Sequence, residues 1–228
     1  MDEVWSGPIR DEPLSYPILD SALAYPGHVW SVRRDTVQFD DRPIARDVLI
    51  HPGAVAVMAL REDNAVLLIR QYRHPVGHMM LEPPAGLLDH AGEDPLHTAQ
   101  RELIEEAGYT AATWHTLIDM MNSPGGSSEA IRIYLARDLT ALPEGRHHTG
   151  EAEEAFLPQV WVPLDEAVTA VLAGALQSPT TTLGVLAIAA YRSRDWLGLR
   201  PADAPWPSRA ALVQLDRVHN QGNDMNEA

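Results

Sequence analysis

The nine-residue run Arg101-Glu102-Leu103-Ile104-Glu105-Glu106-Ala107-Gly108-Tyr109 constrains this chain more than any other segment. Its three carboxylates, Glu102, Glu105 and Glu106, stand at i, i+3 and i+4, which puts them on one face of a helix. Like charges so placed repel, and a hard divalent cation held by oxygens is the obvious compensation. The ends of that helix are legible. Asp94 can cap it, Pro95 suits its first position, and Gly108 stops it. Leu96, Ala99, Leu103 and Ala107 give the buried stripe, so the carboxylates are expected to face away from the core.

Charge and composition remove several function classes. A formal net charge of −15 argues against an electrostatic footprint for nucleic acid or an anionic membrane. All 17 basic residues are Arg. Without Lys there is no Walker-type phosphate loop, no Schiff-base lysine and no Ser-Lys dyad. Arg remains, and its planar fork suits phosphate. Cysteine is absent, which excludes a disulfide framework, a thiolate nucleophile and a Cys-ligated zinc. No apolar stretch approaches the roughly 18 to 20 residues that span a bilayer. The acidic start Met1-Asp2-Glu3 lacks the basic-then-apolar order of a signal peptide, so the expected location is cytoplasmic.

The 228 residues allow one sizeable domain, alone or with an appendage. Residues 1–27 are Pro-rich and read as an arm. His28–Phe39 and Ile44–His51 read as strands around the turn Asp40-Asp41-Arg42-Pro43. Ala54–Arg61 and Ala65–Gln71 are apolar runs separated by Glu62-Asp63-Asn64, the signal of a hairpin. Pro83-Pro84-Ala85-Gly86 reads as a rigid turn. Trp114–Met121, Ala130–Ala136 and Gln159–Leu164 read as further strands, with loops over Ser123–Glu129 and Pro143–Pro158. Asp165 can cap a helix over Glu166–Ala173 that Gly174 ends, and Thr182–Trp196 reads as another helix. Strands on both sides of a central helix, with helices near the end, predict an α/β layered domain with a mixed sheet.

Gly86, Glu93 and the Arg101–Tyr109 run closely resemble the Nudix box, the signature of the Nudix hydrolases. Seven residues separate Glu93 from Arg101, as in that motif, but six rather than five separate Gly86 from Glu93. The extra residue falls in the loop Leu87–Gly92, where an insertion costs little and leaves the helical spacing intact. The resemblance runs from about His28 to Trp196. It implies an α/β; Nudix-type α/β/α sandwich with mixed β-sheet, preceded by a small N-terminal β subdomain. The implied divisions are 1–52 as arm and dimerisation strands, 53–199 as the hydrolase domain, and 200–228 as a tail.

The resemblance also implies a chemistry. Glu102 and Glu106 would ligate a divalent metal, usually Mg²⁺ with Mn²⁺ able to substitute, with Glu105 beside them and the Ala85 carbonyl completing the site. Arg101 would orient the glutamates, Glu93 among its partners. Several segments resemble the ADP-ribose pyrophosphatase branch: Gln71-Tyr72-Arg73, Leu81–Gly86, and Ser123–Glu129 with Pro124 sixteen residues after Gly108. That branch implies hydrolysis of ADP-ribose to AMP and ribose 5-phosphate. Its general base is a loop glutamate, for which Glu153 is favoured, then Glu151, with Glu154 also in the loop. Arg73, Glu82, Ser123 and Pro124 would bind substrate. In a homodimer built through the N-terminal strands, Arg33, Arg34 or Trp30 would reach it across the interface. ADP-glucose or GDP-mannose hydrolysis is the nearest alternative. A ligand-sensing regulator fits less well, because the box glutamates are present and no helix-turn-helix is visible. His147-His148 lack further ligands for zinc, and Met79-Met80 and Met120-Met121 read as packing residues.

Overall fold

The computed structural model describes residues 4, 6–90, 92–146, 158–210 and 212. The chain opens with β1 (Ile18–Pro26), β2 (Ser31–Phe39) and β3 (Arg42–Ile50), which form an antiparallel three-stranded sheet. The expected arm therefore contains a strand. Residues 18–26 pair with β2 across register partners such as Ser21↔Asp35 and Leu23↔Arg33. The alternation in Ile18–Pro26 is too weak to be seen locally, and its pairing with β2 is what makes it a strand. Asp35 is buried in this sheet, whereas Leu19, Leu23, Tyr25, Val29, Trp30 and Phe39 are exposed.

Next come β4 (Ala54–Ala59), β5 (Ala65–Arg73), β6 (His78–Glu82) and β7 (Ala85–Leu87). The expected hairpin does not form. Leu60 and Val66 make a single bridge, and then the two strands part. β4 enters a five-stranded sheet with β8 (Tyr109–Met121), β9 (Ala130–Ala141) and β11 (Arg200–Pro201), in the order β11-β8-β9-β4-β7, and β5 joins a separate sheet with β10 (Gln159–Pro163), in the order β10-β5-β6. The reason lies in β4 itself. Val55 to Ala59 are all fully buried, so the strand needs cover on both faces, and it pairs parallel with β9 (Ala130–Ala141). The other pairings in its sheet are antiparallel, which makes the sheet mixed. The turn expected at Pro83–Gly86 runs directly into β7.

The helix α1 (Pro95–Glu102) continues as a π turn over Leu103–Ala107 before β8 (Tyr109–Met121). After β10 (Gln159–Pro163) come α2 (Leu164–Leu172), α3 (Pro179–Arg192) and the short β11 (Arg200–Pro201). Asp165 does not cap α2; its carboxylate pairs with Arg192 of α3. The helix expected over Thr182–Trp196 starts and stops earlier, with Asp195 and Trp196 at positive φ beyond its end.

Two apolar clusters hold the layers together. Val55, Val57 and Ala59 pack with Ala99, Leu103 and Ala107 of the α1 segment and with Tyr134. Ala56 and Met58, on the other face of β4, pack with Ile133, Leu135, Val185 and Ile188. Period-two alternation along β4 thus builds an α/β/α sandwich. The segment after β11 packs on the sheet as well. Arg132, buried, donates to Asp119 at 2.7 Å and to the Ala204 carbonyl at 2.7 Å, and its guanidinium lies 4.7 Å from the Trp206 ring. Among the described residues no helix is long and apolar enough to cross a membrane.

Packing between α3 and β4 leaves no spare volume. A Cβ placed on Gly184 would lie 2.6 Å from both Cγ and Sδ of the fully buried Met58. Gly184→Val should therefore destabilise the fold by about 1–3 kcal/mol, the usual cost of overpacking. Urea denaturation reads this, and an unchanged midpoint would show that Met58 makes room.

Candidate active site

The site is assembled where α1 meets the segment before it. Asp94 accepts a hydrogen bond from Leu96 N at 2.8 Å, and Pro95 opens the helix, so the sequence signals for its start are realised. Its far end is a π turn closed by Gly108 at φ +72°. A Cβ at Gly108 would also lie 2.7 Å from Arg146 N, so both backbone and space require glycine. The side-chain amide of Gln159 donates to the Glu106 and Ala107 carbonyls, 3.1 Å each. It satisfies carbonyls at the end of the turn that have no helical partner. Nothing in the sequence marked Gln159 for this role.

The carboxylates do not all face solvent as the apolar stripe suggested. Glu102 is 9% exposed and Glu106 is 8% exposed. The cause is the Pro84–Leu87 segment, which lies over their face of the helix. Pro84 O accepts from Val57 N at 2.8 Å and fixes that segment to β4. The Ala85 N–H then donates to Glu106 Oε2 at 2.8 Å. Gly86 lies against Glu102 so closely that a Cβ there would sit 2.1 Å from Glu102 Oε1. The glycine of the motif is thus the floor on which one of its glutamates lies.

Arg101 draws the remaining carboxylates together. Its Nη1 lies 2.8 Å from Glu102 Oε1 and 2.8 Å from Glu105 Oε2, and its Nε lies 3.4 Å from Glu93 Oε1. Burial alone would weaken the hold of the guanidinium on its proton. The charges of Glu102, Glu93 and Glu105 more than reverse that, so Arg101 is firmly cationic. The Glu93 carboxyl likewise stays below its usual range, because Arg101 outweighs the desolvation that opposes it.

Four carboxylates therefore gather around one guanidinium and one backbone N–H. As positioned, Glu102 and Glu105 turn toward Arg101 and Glu106 toward Ala85, and among the described residues no three acidic or imidazole side chains converge on a common point. The donor chemistry nevertheless fits a hard divalent ion: the side chains offer carboxylate oxygens, and Glu102 and Glu106 are buried. Glu102, Glu105, Glu106 and Ala85 are the residues able to hold it.

The other expected site residues fall in separate places. Arg73 and Glu82 meet at the β5–β6 end of the second sheet. Arg73 Nη2 and Nε donate to Glu82 Oε2 at 2.6 and 2.9 Å, so the two are paired with each other. Ser123, at φ +52°, and Pro124 lie in the turn between β8 and β9. Arg33 lies 2.9 Å from the buried Asp35, Arg34 pairs with Asp47 at 2.7 Å, and Trp30 is exposed just before β2. Glu151, Glu153 and Glu154 lie outside the described residues, as do His147 and His148.

Known proteins share both the pattern and the fold. The NUDIX domain model matches residues 50–181. An ADP-ribose pyrophosphatase of Mycobacterium tuberculosis is 39% identical over 195 residues, covering 84% of this chain and 91% of its own. A GDP-mannose pyrophosphatase of Cronobacter sakazakii is 32% identical, covering 58% of this chain and 70% of its own. A crystal structure of an ADP compounds hydrolase superposes with a TM-score of 0.61 over 82% of this chain and all of its own, at 23% identity. With over half its residues inside the matched domain and a relative at 39% identity along most of its length, the chain belongs to the Nudix family.

Proposed function

We propose that this protein hydrolyses the diphosphate of ADP-ribose, with Mg²⁺ as the metal and Mn²⁺ able to substitute. Water adds to one phosphorus, the P–O–P bridge breaks, and AMP and ribose 5-phosphate leave. The observation that carries the chemistry is the gathering of Glu93, Glu102, Glu105 and Glu106 around Arg101 and Ala85, three of them on a single turn. Support for the substrate comes from the relative named an ADP-ribose pyrophosphatase, which matches along most of both chains.

Glu102, Glu106 and Glu105, with the Ala85 carbonyl, are the proposed ligands. When bound, such an ion polarises the diphosphate, screens its charge and acidifies water. Arg101 keeps Glu102 and Glu105 in place. Gly86 leaves the space in which Glu102 lies. Glu153, or failing it Glu151 or Glu154, is the proposed base that takes the proton from the attacking water. Arg73, Glu82, Ser123 and Pro124 are the proposed contacts to substrate within the chain, and Arg33, Arg34 and Trp30 those from the N-terminal sheet. Arg73 would then exchange part of its pairing with Glu82 for phosphate oxygens, which its planar fork suits.

A second reading has its own support. The match to a GDP-mannose pyrophosphatase makes another nucleotide sugar the alternative substrate. The proposed metal site is the same in both readings, so only the sugar and base contacts separate them.

A panel of ADP-ribose, ADP-glucose, GDP-mannose, NADH and diadenosine polyphosphates separates the readings. We expect ADP-ribose to give the highest kcat/KM with AMP as product, EDTA to stop the reaction, and Mg²⁺ to restore it. Preference for GDP-mannose would transfer the assignment to the second reading, and full activity in EDTA would contradict the metal-dependent one. For the base, Glu153→Gln should lower kcat by at least about a hundredfold, the range general-base catalysis supplies, with little change in metal affinity. A loss confined to Glu151→Gln would move the role there.

A further inference from the structure

The Ser123–Glu129 turn is tied to the end of the N-terminal sheet through one histidine. Leu49 N donates to the Gly126 carbonyl at 2.8 Å and Ser128 N to the Leu49 carbonyl at 2.9 Å, so the turn adds to β3 as a short parallel bridge. One residue past β3, His51 extends this tie. Its N–H donates to Ser128 Oγ at 3.0 Å. Its imidazole Nδ1 accepts from Gly53 N at 3.0 Å. Its Nε2 faces Glu129 Oε1 across 3.7 Å, and the other Glu129 oxygen accepts from Asn122 at 2.7 Å.

The position of His51 matters because Gly53 is itself a junction. The Gly53 carbonyl accepts from Leu88 N at 3.0 Å, which fastens the strand start at Ala54 to the end of β7, the strand that carries Ala85 and Gly86. The imidazole thus bears on Gly53, and through it on Ala85–Leu88, and it faces Glu129 at the end of the turn, while the backbone N–H of the same residue holds Ser128. The acceptor role of Nδ1 places the imidazole proton on Nε2, where it points at Glu129. Burial, against the opposing pull of Glu129, keeps His51 below its usual pKa, which favours this neutral form.

We infer that His51 is a positioning residue that, as the Nε2–H tautomer, holds the Ser123–Glu129 turn and the Gly53 strand start in register and so sets substrate affinity. The effect on affinity rests on the proposed role of Ser123 and Pro124 in binding substrate; the effect on the turn does not. His51 takes no part in the chemical step, so KM and not kcat carries its effect. Gln in its place can donate from its amide to Glu129, whereas Leu cannot.

Three readouts on the protein test this. In the first, His51→Leu raises the KM of the substrate found in the panel about tenfold, with kcat within about twofold, the pattern of a change in binding alone. Glu129→Ala does the same, the double variant is no worse than the worse single one, and His51→Gln recovers most of the loss. In the second, which needs no substrate, amide hydrogen exchange at Leu49, Gly126 and Ser128 speeds up in His51→Leu and returns toward wild type in His51→Gln. Nitrogen NMR at neutral pH shows the Nε2–H tautomer in the wild type. A charged or Nδ1–H imidazole, or exchange unchanged in His51→Leu, overturns the inference. Faster exchange with an unchanged KM overturns its link to affinity and falls on the substrate role of the turn. A wild type inactive on the whole panel would fall on the proposed function, while exchange and tautomer still decide the role of His51.

Discussion

The crowding of Glu93, Glu102 and Glu105 around Arg101, with Glu106 held on the Ala85 N–H, is the interaction on which the rest of this structure turns. Two like charges about 4 Å apart near a protein surface repel by roughly 4 kcal/mol. Buried ion pairs contribute little net stability even when well made, because desolvation offsets the attraction. The cluster is therefore poorly explained as a device for holding the fold. We propose instead that it is a set of oxygen donors for a divalent cation, held in place by Arg101 and the Ala85 N–H.

The architecture around it holds that cluster in place. The parting of β4 from β5 sends β4 into the mixed sheet between β9 and β7, where Val57 N fixes Pro84 and so the whole Pro84–Leu87 segment. The α1 helix packs on the same strand through Ala99 and Leu103. The two segments that carry the cluster, Ala85–Gly86 and the helix, are thus both mounted on β4. The π turn after Glu102 places Glu105 and Glu106 on a widened turn whose last carbonyls Gln159 satisfies from β10. π turns of this kind often mark functional positions in helices.

Much of this was legible in the sequence, and the rest was hidden for physical reasons. Helix ends were readable at Asp94, Pro95 and Gly108 because capping and glycine stops are local chemistry. The carboxylate spacing was readable because helical periodicity is local too. The burial of Glu102 and Glu106 was not, since it depends on a segment that folds back onto the helix from fifteen or more positions earlier in the chain. The parting of β4 and β5 was hidden because Glu62-Asp63-Asn64 looks like a hairpin turn, while the parallel partner of β4 lies over seventy residues away. β1 was missed because its alternation is weak and its Pro-rich surroundings obscure it. His51 and Gln159 carry no motif; only their contacts single them out.

Whether this cluster binds a divalent cation is decided by calorimetric titration of Mn²⁺ or Mg²⁺ into the free protein. The account predicts saturable binding that weakens at least about tenfold in Glu106→Gln, as loss of a metal contact should. A control at the exposed Arg61–Asp63 pair, Asp63→Asn, should leave the affinity unchanged. Equal affinity in wild type and Glu106→Gln, with both variants folded, would contradict it.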